Sequence, residues 1–420
     1  MEFNNIKKEK IVNTLLEYII ALLIVLNANS VYSHLANIDF HFNILILIFL
    51  IIYIIFRFFT TKDKSKIKIK IFYKYFFIYV AYMVIFAIFN KVRDKSFINN
   101  FLLIFPIFVF IFLNFKDTIK NIFAKIVDVV VIISIVSLVL YFLFSVIKAF
   151  DLKQSVVIDW GNVYKIKSFY HIYFETQSFH GFGLNICRNT GIFVEAPMYS
   201  LILTIALAME SFIIKRKKMF IYLILSFSVL TTFSTTGIIA MSLIYVLNFI
   251  SILVKKQKIS KKAKRIMFII GGILITISLI YFIQRINTES GSIRLDDYKA
   301  SFKAWLDYPI FGNGYLNSDC IKAYMSSFRI HNMGLSNSFA VLLAQCGIYL
   351  FIFYLIPLIY LGKKWIDNKE YEYLFFSLVI VLLFITTIFM YKPIMILIMA
   401  SGYSQIIKKE GDNNFEKITN

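Results

Sequence analysis

Residues 41–59 read HFNILILIFLIIYIIFRFF, nineteen positions in which Arg57 is the one Lys, Arg, Asp or Glu. A helix crosses the hydrocarbon core of a bilayer with about 20 mostly apolar residues, so this stretch predicts a membrane span. Working outward, comparable runs lie near 11–29, 71–90, 99–115, 123–147, 194–214, 219–232, 235–254, 266–283, 336–361, 372–390 and 393–407. Only the short "FSTTG" (233–237) breaks 219–254. The first run follows a basic start but meets no small-residue cleavage site, so it reads as a span rather than a signal peptide. The expected fold class is an all-α polytopic membrane protein of about twelve transmembrane helices, one integral domain over 1–420.

Composition agrees. The 420 residues are 59% hydrophobic and 16% charged, against about 45–50% and about 25% in an ordinary soluble domain. Phe 46, Gly 15 and Pro 5 exclude disordered and collagen-like chains. Three cysteines, Cys187, Cys320 and Cys346, give neither a disulfide framework nor a CxxC metal spacing.

The net charge of +21 does not point to nucleic acid, because the basic residues sit in short clusters between apolar runs. Cytoplasmic loops carry the excess of Lys and Arg. With the N-terminus inside, 29 of the 45 Lys and Arg fall in inner segments and 15 in outer ones, so both termini are expected in the cytoplasm. Two expected outer loops are far longer than the rest, 148–193 and 284–335, and long ordered loops between spans usually carry function. All five histidines (His34, His41, His171, His180, His331) and five of eight arginines (Arg93, Arg188, Arg285, Arg294, Arg329) lie on that outer side. Guanidinium offers a planar fork for phosphate or carboxylate and stays charged, which points to an anionic outer ligand. Headgroup contact or pairing with Asp296, Asp297 or Asp307 is the plainer account of any one of them.

Three clusters carry candidate chemistry. "CRNTGIFVEAPMYS" (187–200) puts Arg188 and Glu195 at the start of a span whose first turn holds Pro197. Glu195 suits a helix start on dipole grounds alone, and Arg188 is its obvious ion-pair partner. The other reading is a phosphate-binding Arg and a carboxylate base in one segment. "SIRLDDYKASFKAWLDYPIFGNGY" (292–315) spaces Leu295, Tyr298, Phe302, Trp305 and Leu306 as the apolar stripe of an interfacial helix ended at Tyr308–Pro309. "FGNG" there is a turn, not a phosphate loop. "FRIHNMGLSNSFAVLLAQCGIYL" (328–350) offers His331 as a base or phosphate ligand, or as a plain surface residue. Asp39 and His41 in "NIDFH" are a lesser acid/base pair, and nothing suggests a bound metal. Glu17, Asp128 and Glu210 fall in or near spans and raise a transport path, although the last two lie near enough to span ends to snorkel or pair with lysine.

At these clusters the sequence resembles the Wzy-type polysaccharide polymerases and the related O-antigen ligases, over essentially the whole chain. Arg188, Gly191, Phe193 and Glu195 match the family's Arg, then Gly-aromatic-x-Glu segment; "FSTTGIIA" (233–240) resembles its Ser-x-Thr-Gly stretch, with Thr235 where Arg often stands. Arg294, Trp305, Pro309, Gly312 and Gly314 match its large-loop pattern. Its His-Asn pair corresponds to His331–Asn332 or, by distance to Gly347, to Ser336–Asn337.

The resemblance implies an enzyme of the bacterial plasma membrane that joins polyprenyl-diphosphate-linked oligosaccharide units into O-antigen, capsule or exopolysaccharide, without cofactor or metal. It implies Arg188 and Arg294 on the diphosphate, with Arg329 or Arg285 assisting. Glu195 or His331 is then the base, and Trp160, Tyr170, Trp305, Asn332 and Asn337 line the sugar. Membrane lipid, a flippase and a chain-length regulator are the implied partners. A ligase of the same superfamily and a flippase or exporter of lipid-linked glycan are the alternatives.

Overall fold

The computed structural model describes residues 2–36, 41–61, 68–181, 184–216, 218–254, 289–329, 333–368 and 371–419. Uninterrupted apolar sequence becomes helix, since every backbone polar group must then be satisfied within the segment. The helices are α1 (Glu2–Asn27), α2 (Phe42–Thr60), α3 (Ile69–Phe89), α4 (Lys95–Asn114), α5 (Thr118–Val146), α6 (Ala196–Ile214), α7 (Met219–Thr231), α8 (Thr235–Val254), α9 (Glu289–Asp307), α10 (Asp319–Lys322), α11 (Ser338–Asn368), α12 (Tyr371–Thr386) and α13 (Pro393–Thr419).

Seven are long and apolar enough to cross a membrane: α2, α3, α4, α5, α6, α8 and α11. Helices α7 and α12 are shorter and apolar, α1 and α13 carry the runs at 11–29 and 393–407, and 266–283 lies outside the described residues. This is a helical, multi-pass membrane protein. Its centre is α6, whose apolar window is 89% buried, whereas α3 at 11% lies on the periphery.

The expectation of an all-α chain needs correcting. The connection from α5 to α6 folds into two small antiparallel sheets: β1 (Gln154–Asp159), β2 (Val163–Phe169) and β3 (Tyr173–Glu175) in one, β4 (Ser178–Gly181) and β5 (Leu184–Cys187) in the other. Val156 pairs with Ile166 and Ile158 with Tyr164. Val156, Ile158, Ile166 and Ser168 are buried, the period-2 alternation of a sheet with one covered face. Bridges Ser30–Phe193 and Leu35–Ile158 fasten this unit to the α1–α2 connection. The connections α7–α8 and α12–α13 and helix α9 gather at the same end of the bundle, through contacts described below.

Helix α11 is broken at Gly347, whose φ of 64° and ψ of −176° are not helical. A break strands carbonyls on one side and N–H groups on the other, a costly state inside a bilayer. The turn after α9 repairs it. Ile348 and Tyr349 donate to the carbonyls of Pro309 and Ile310, both at 2.9 Å, and Asn313 and Gly314 donate to those of Ala344 and Gln345, both at 3.0 Å. Buried Asn90 adds a bond from Nδ2 to the Gln345 carbonyl (2.9 Å) and accepts from Tyr315 N–H (2.7 Å).

Candidate active site

The segment 187–195 is fixed from its small polar residues upward. Asn189 is buried: its Oδ1 accepts from Ser137 Oγ at 2.5 Å and from Gly191 N–H at 3.1 Å, and its Nδ2 donates to Thr231 Oγ1 at 3.0 Å. Phe193 stacks on Tyr199 at 5.4 Å between centroids, and Val194 N–H donates to the Asn29 carbonyl. The chain is thereby delivered to Glu195, the extended residue (φ −150°, ψ 153°) ahead of α6.

Glu195 does not cap that helix with its side chain. Gln177 takes the task, its Oε1 accepting from Ala196 N–H at 3.0 Å. The Glu195 carboxylate is half-buried and makes no hydrogen bond or ion pair among the described residues. Burial pushes its pKa above the ordinary carboxylate value, against the pull of Arg188 and then Arg294. Its charge in turn helps raise the Tyr164 hydroxyl, after burial. An ionisable group held in low dielectric without a bonded partner is what a general base requires.

The two arginines are anchored elsewhere. Arg188 donates from Nε to the Thr232 carbonyl (2.8 Å), from one terminal nitrogen to Gln177 Oε1 (3.3 Å) and from the other to the Phe233 carbonyl (3.3 Å). Arg294, on α9, donates to the Thr386 carbonyl at 3.0 Å, and Tyr298 one turn on donates to the Ile385 carbonyl. Burial lowers the Arg294 pKa while Asp297, Tyr298 and Glu195 raise it. Arg188 and Glu195, of one segment, are thus joined by Arg294 of α9, two cations whose charge acts on an unbonded carboxylate. Removal of a proton from a hydroxyl beside a group that gains negative charge is chemistry this set can perform.

Residues 220–355 match the O-antigen ligase family. No curated protein matches the chain. The O-antigen ligase match supports the O-antigen polymerase/ligase superfamily and a membrane enzyme of glycosyl-transfer type in general. It implies lipid-linked oligosaccharide and membrane lipid as partners. It takes in the α7–α8 turn that holds Arg188, Arg294 itself and the joint at Gly347; Arg188 and Glu195 precede it.

The remaining candidates are dispersed. Arg329 lies within the O-antigen ligase match but is 1% exposed. It bonds Asp297 at 2.8 Å, Asp296 at 3.4 Å and the carbonyls of Ile293 and Gly334, so its charge is spent on packing its own loop against α9. Asn337 is buried and caps α11, Oδ1 accepting from Ala340 N–H at 2.8 Å. Trp305 donates from its indole to the Pro309 carbonyl at 3.0 Å. Tyr170 is exposed on the β2–β3 turn, and Trp160 meets His34 edge-on at 4.6 Å. Arg285, His331, Asn332 and Asp39 lie outside the described residues. Sequence reasoning passed over Gln177, Tyr164 and the carbonyls of Thr232 and Phe233, none of which belongs to a motif.

At the opposite end of the bundle the ionisable groups are satisfied. Arg216 binds Glu210 at 2.7 Å and Asp128 at 2.5 Å, and Glu17 accepts from Tyr53 and Asn13, each at 3.2 Å. The partner of Asp128 and Glu210 is an arginine rather than a lysine. Among the described residues, their closed network offers no row of unpaired groups of the kind a transport path uses.

Proposed function

We propose that the protein joins polyprenyl-diphosphate-linked oligosaccharide units at the outer face of the plasma membrane, with Glu195 as base and Arg188 and Arg294 on the diphosphate. The observation that carries this reading is the unbonded, half-buried Glu195 carboxylate on which the charges of two anchored arginines act. The acceptor hydroxyl gives its proton to Glu195 while its oxygen bonds the donor's anomeric carbon. The bond from that carbon to the diphosphate breaks, and its electron pair leaves on oxygen beside Arg188 and Arg294. The anchoring carbonyls limit each guanidinium's motion, so little reorganisation is needed as charge develops. Arg329, held by Asp296 and Asp297, positions α9 instead of touching the donor.

A ligase that passes finished glycan to a different acceptor uses the same groups, and the family description of residues 220–355 favours it as the second reading. The test is reconstitution in vesicles with lipid-diphosphate-linked repeat units and no nucleotide sugar, metal or ATP. A ladder of unit multiples with free polyprenyl diphosphate supports the polymerase. Transfer only to an added second acceptor supports the ligase, and units that change leaflet without reacting overturn both.

A further inference from the structure

Arg188 and Glu195 carry opposite charges in one segment, yet the carboxylate bonds no cation among the described residues. The residue opposite Arg188 accounts for this. In the β4–β5 hairpin Ser178 pairs with Cys187, and one step outward Arg188 N–H donates to the Gln177 carbonyl at 2.9 Å. Directly opposed residues of an antiparallel pair send their side chains to the same face. Here those side chains meet: a terminal nitrogen of Arg188 donates to Gln177 Oε1 at 3.3 Å. Two residues on, Phe179 stacks on Phe233 at 4.9 Å between centroids. That contact holds the hairpin against the turn whose carbonyls take the other Arg188 bonds.

The same Oε1 accepts from Ala196 N–H at 3.0 Å. An amide oxygen has two lone pairs, so one is engaged by the guanidinium and one by the peptide that follows Glu195. The Arg188 nitrogen therefore lies no farther from that peptide than two hydrogen bonds laid end to end. The acceptor is also neutral. Arg329 is held by two carboxylates that offset its charge, whereas an amide fixes a guanidinium without neutralising it and leaves it charged for an incoming anion.

We propose that Gln177 is a positioning residue of the glycan-joining site, one neutral oxygen that fixes Arg188 to the start of α6 and so holds its guanidinium off the Glu195 carboxylate. This rests on the reading of Glu195 as base and adds how that base stays unpaired beside a cation. Among the described residues, the ionisable groups coupled to Glu195 are Arg188 of its own segment, Arg294 of α9 and Tyr164 of β2. Of these, Gln177 bonds Arg188.

Infrared titration of the Glu195 carboxyl in the purified full chain, in detergent and without donor, tests this, the band being assigned by its loss in Glu195→Gln. Gln177→Met removes the acceptor at similar side-chain length, so Arg188 reaches the carboxylate. The midpoint should then fall by about one pH unit or more, the scale of an opposite charge brought to ion-pair distance. In an Arg188→Ala background the same substitution should leave the midpoint of that background unmoved, since the coupling runs through the guanidinium. Should Gln177→Met fail to fold, Gln177→Asn serves, one methylene too short to span both donors, with the same fall expected. An unmoved or raised midpoint overturns the proposal. So does an equal fall with Arg188 absent, which would make Gln177 a part of the scaffold only. No turnover is measured, so a failure here leaves Glu195 standing as base. A failed reconstitution beside the expected midpoints counts against that reading alone.

Discussion

Gly312 lies in the turn that fills the break at Gly347: its φ is +78° and that of Gly347 +64°, and a Cβ on either would run into backbone of the other segment. Both are left-handed, which glycine adopts at no steric cost. The Gly-x-Gly of "FGNG" is therefore a joint, through which the end of α9 is locked to a span.

Alanine at Gly312 or Gly347 should cost several kcal/mol, since left-handed strain of roughly 1–2 kcal/mol adds to a backbone collision. Gly161, at φ +75° with open space for 4 Å around the place a Cβ would take, provides the contrast, and Gly161→Ala should cost only the strain. Thermal unfolding in detergent ranks the three, and equal losses would sink the joint.

Glu195→Gln should abolish polymer formation, by about 10²–10⁴-fold for a lost base, with the chain still folded. The pKa of Glu195 is raised by folding, so its ionised form is disfavoured in the native state, and stability falls as pH rises through the window from its unfolded to its folded value. The glutamine variant should accordingly be as stable as the parent or more so at pH 7, the difference closing in acid. Activity of the parent should fall on the acidic side at a pH above the ordinary carboxylate range. A pH–rate profile beside melting curves reads both.

The two arginines should differ when truncated. Arg188→Ala leaves the carbonyls of Thr232 and Phe233 and Gln177 Oε1 without its donors, so it should lower both activity and melting temperature. Arg294→Ala gives up one carbonyl contact, at Thr386, and should lower activity, by about 10²–10³-fold for a lost oxyanion donor, with a smaller thermal shift. Equal thermal losses would show that Arg188 is not the staple of the α7–α8 turn.

Arg329→Met should unfold the second long connection, because Asp297 is fully buried and Asp296 nearly so. Stranding a buried carboxylate costs about 3–5 kcal/mol. Limited proteolysis within 308–337 is the readout, and a variant as resistant as the parent would remove the structural role given to Arg329.

What the sequence makes legible follows length and period. Runs such as 41–59 need no partner to declare themselves, and the apolar spacing of Leu295, Tyr298, Phe302 and Trp305 gives α9. The sheets are harder: Val156 and Ile158 alternate, and so do Ile166 and Ser168, but strands of three to seven residues carry too few periods to stand out in a loop. Arg188 and Glu195 are visible together in one segment, and what joins Arg294 to them is tertiary. Gln177 has no local signature, since it matters for the helix end it bonds.

The electrostatics around Glu195 carry an order of events. Arg188 and Arg294 hold down its proton affinity, and an anion that takes up those two charges releases that hold, so the carboxylate becomes a stronger base as a diphosphate settles. In the absence of donor the same group is a weaker base, and an acceptor that arrives alone meets a centre not yet switched on. Sequencing of this kind ties the strength of the base to the presence of the donor, with no moving lid required.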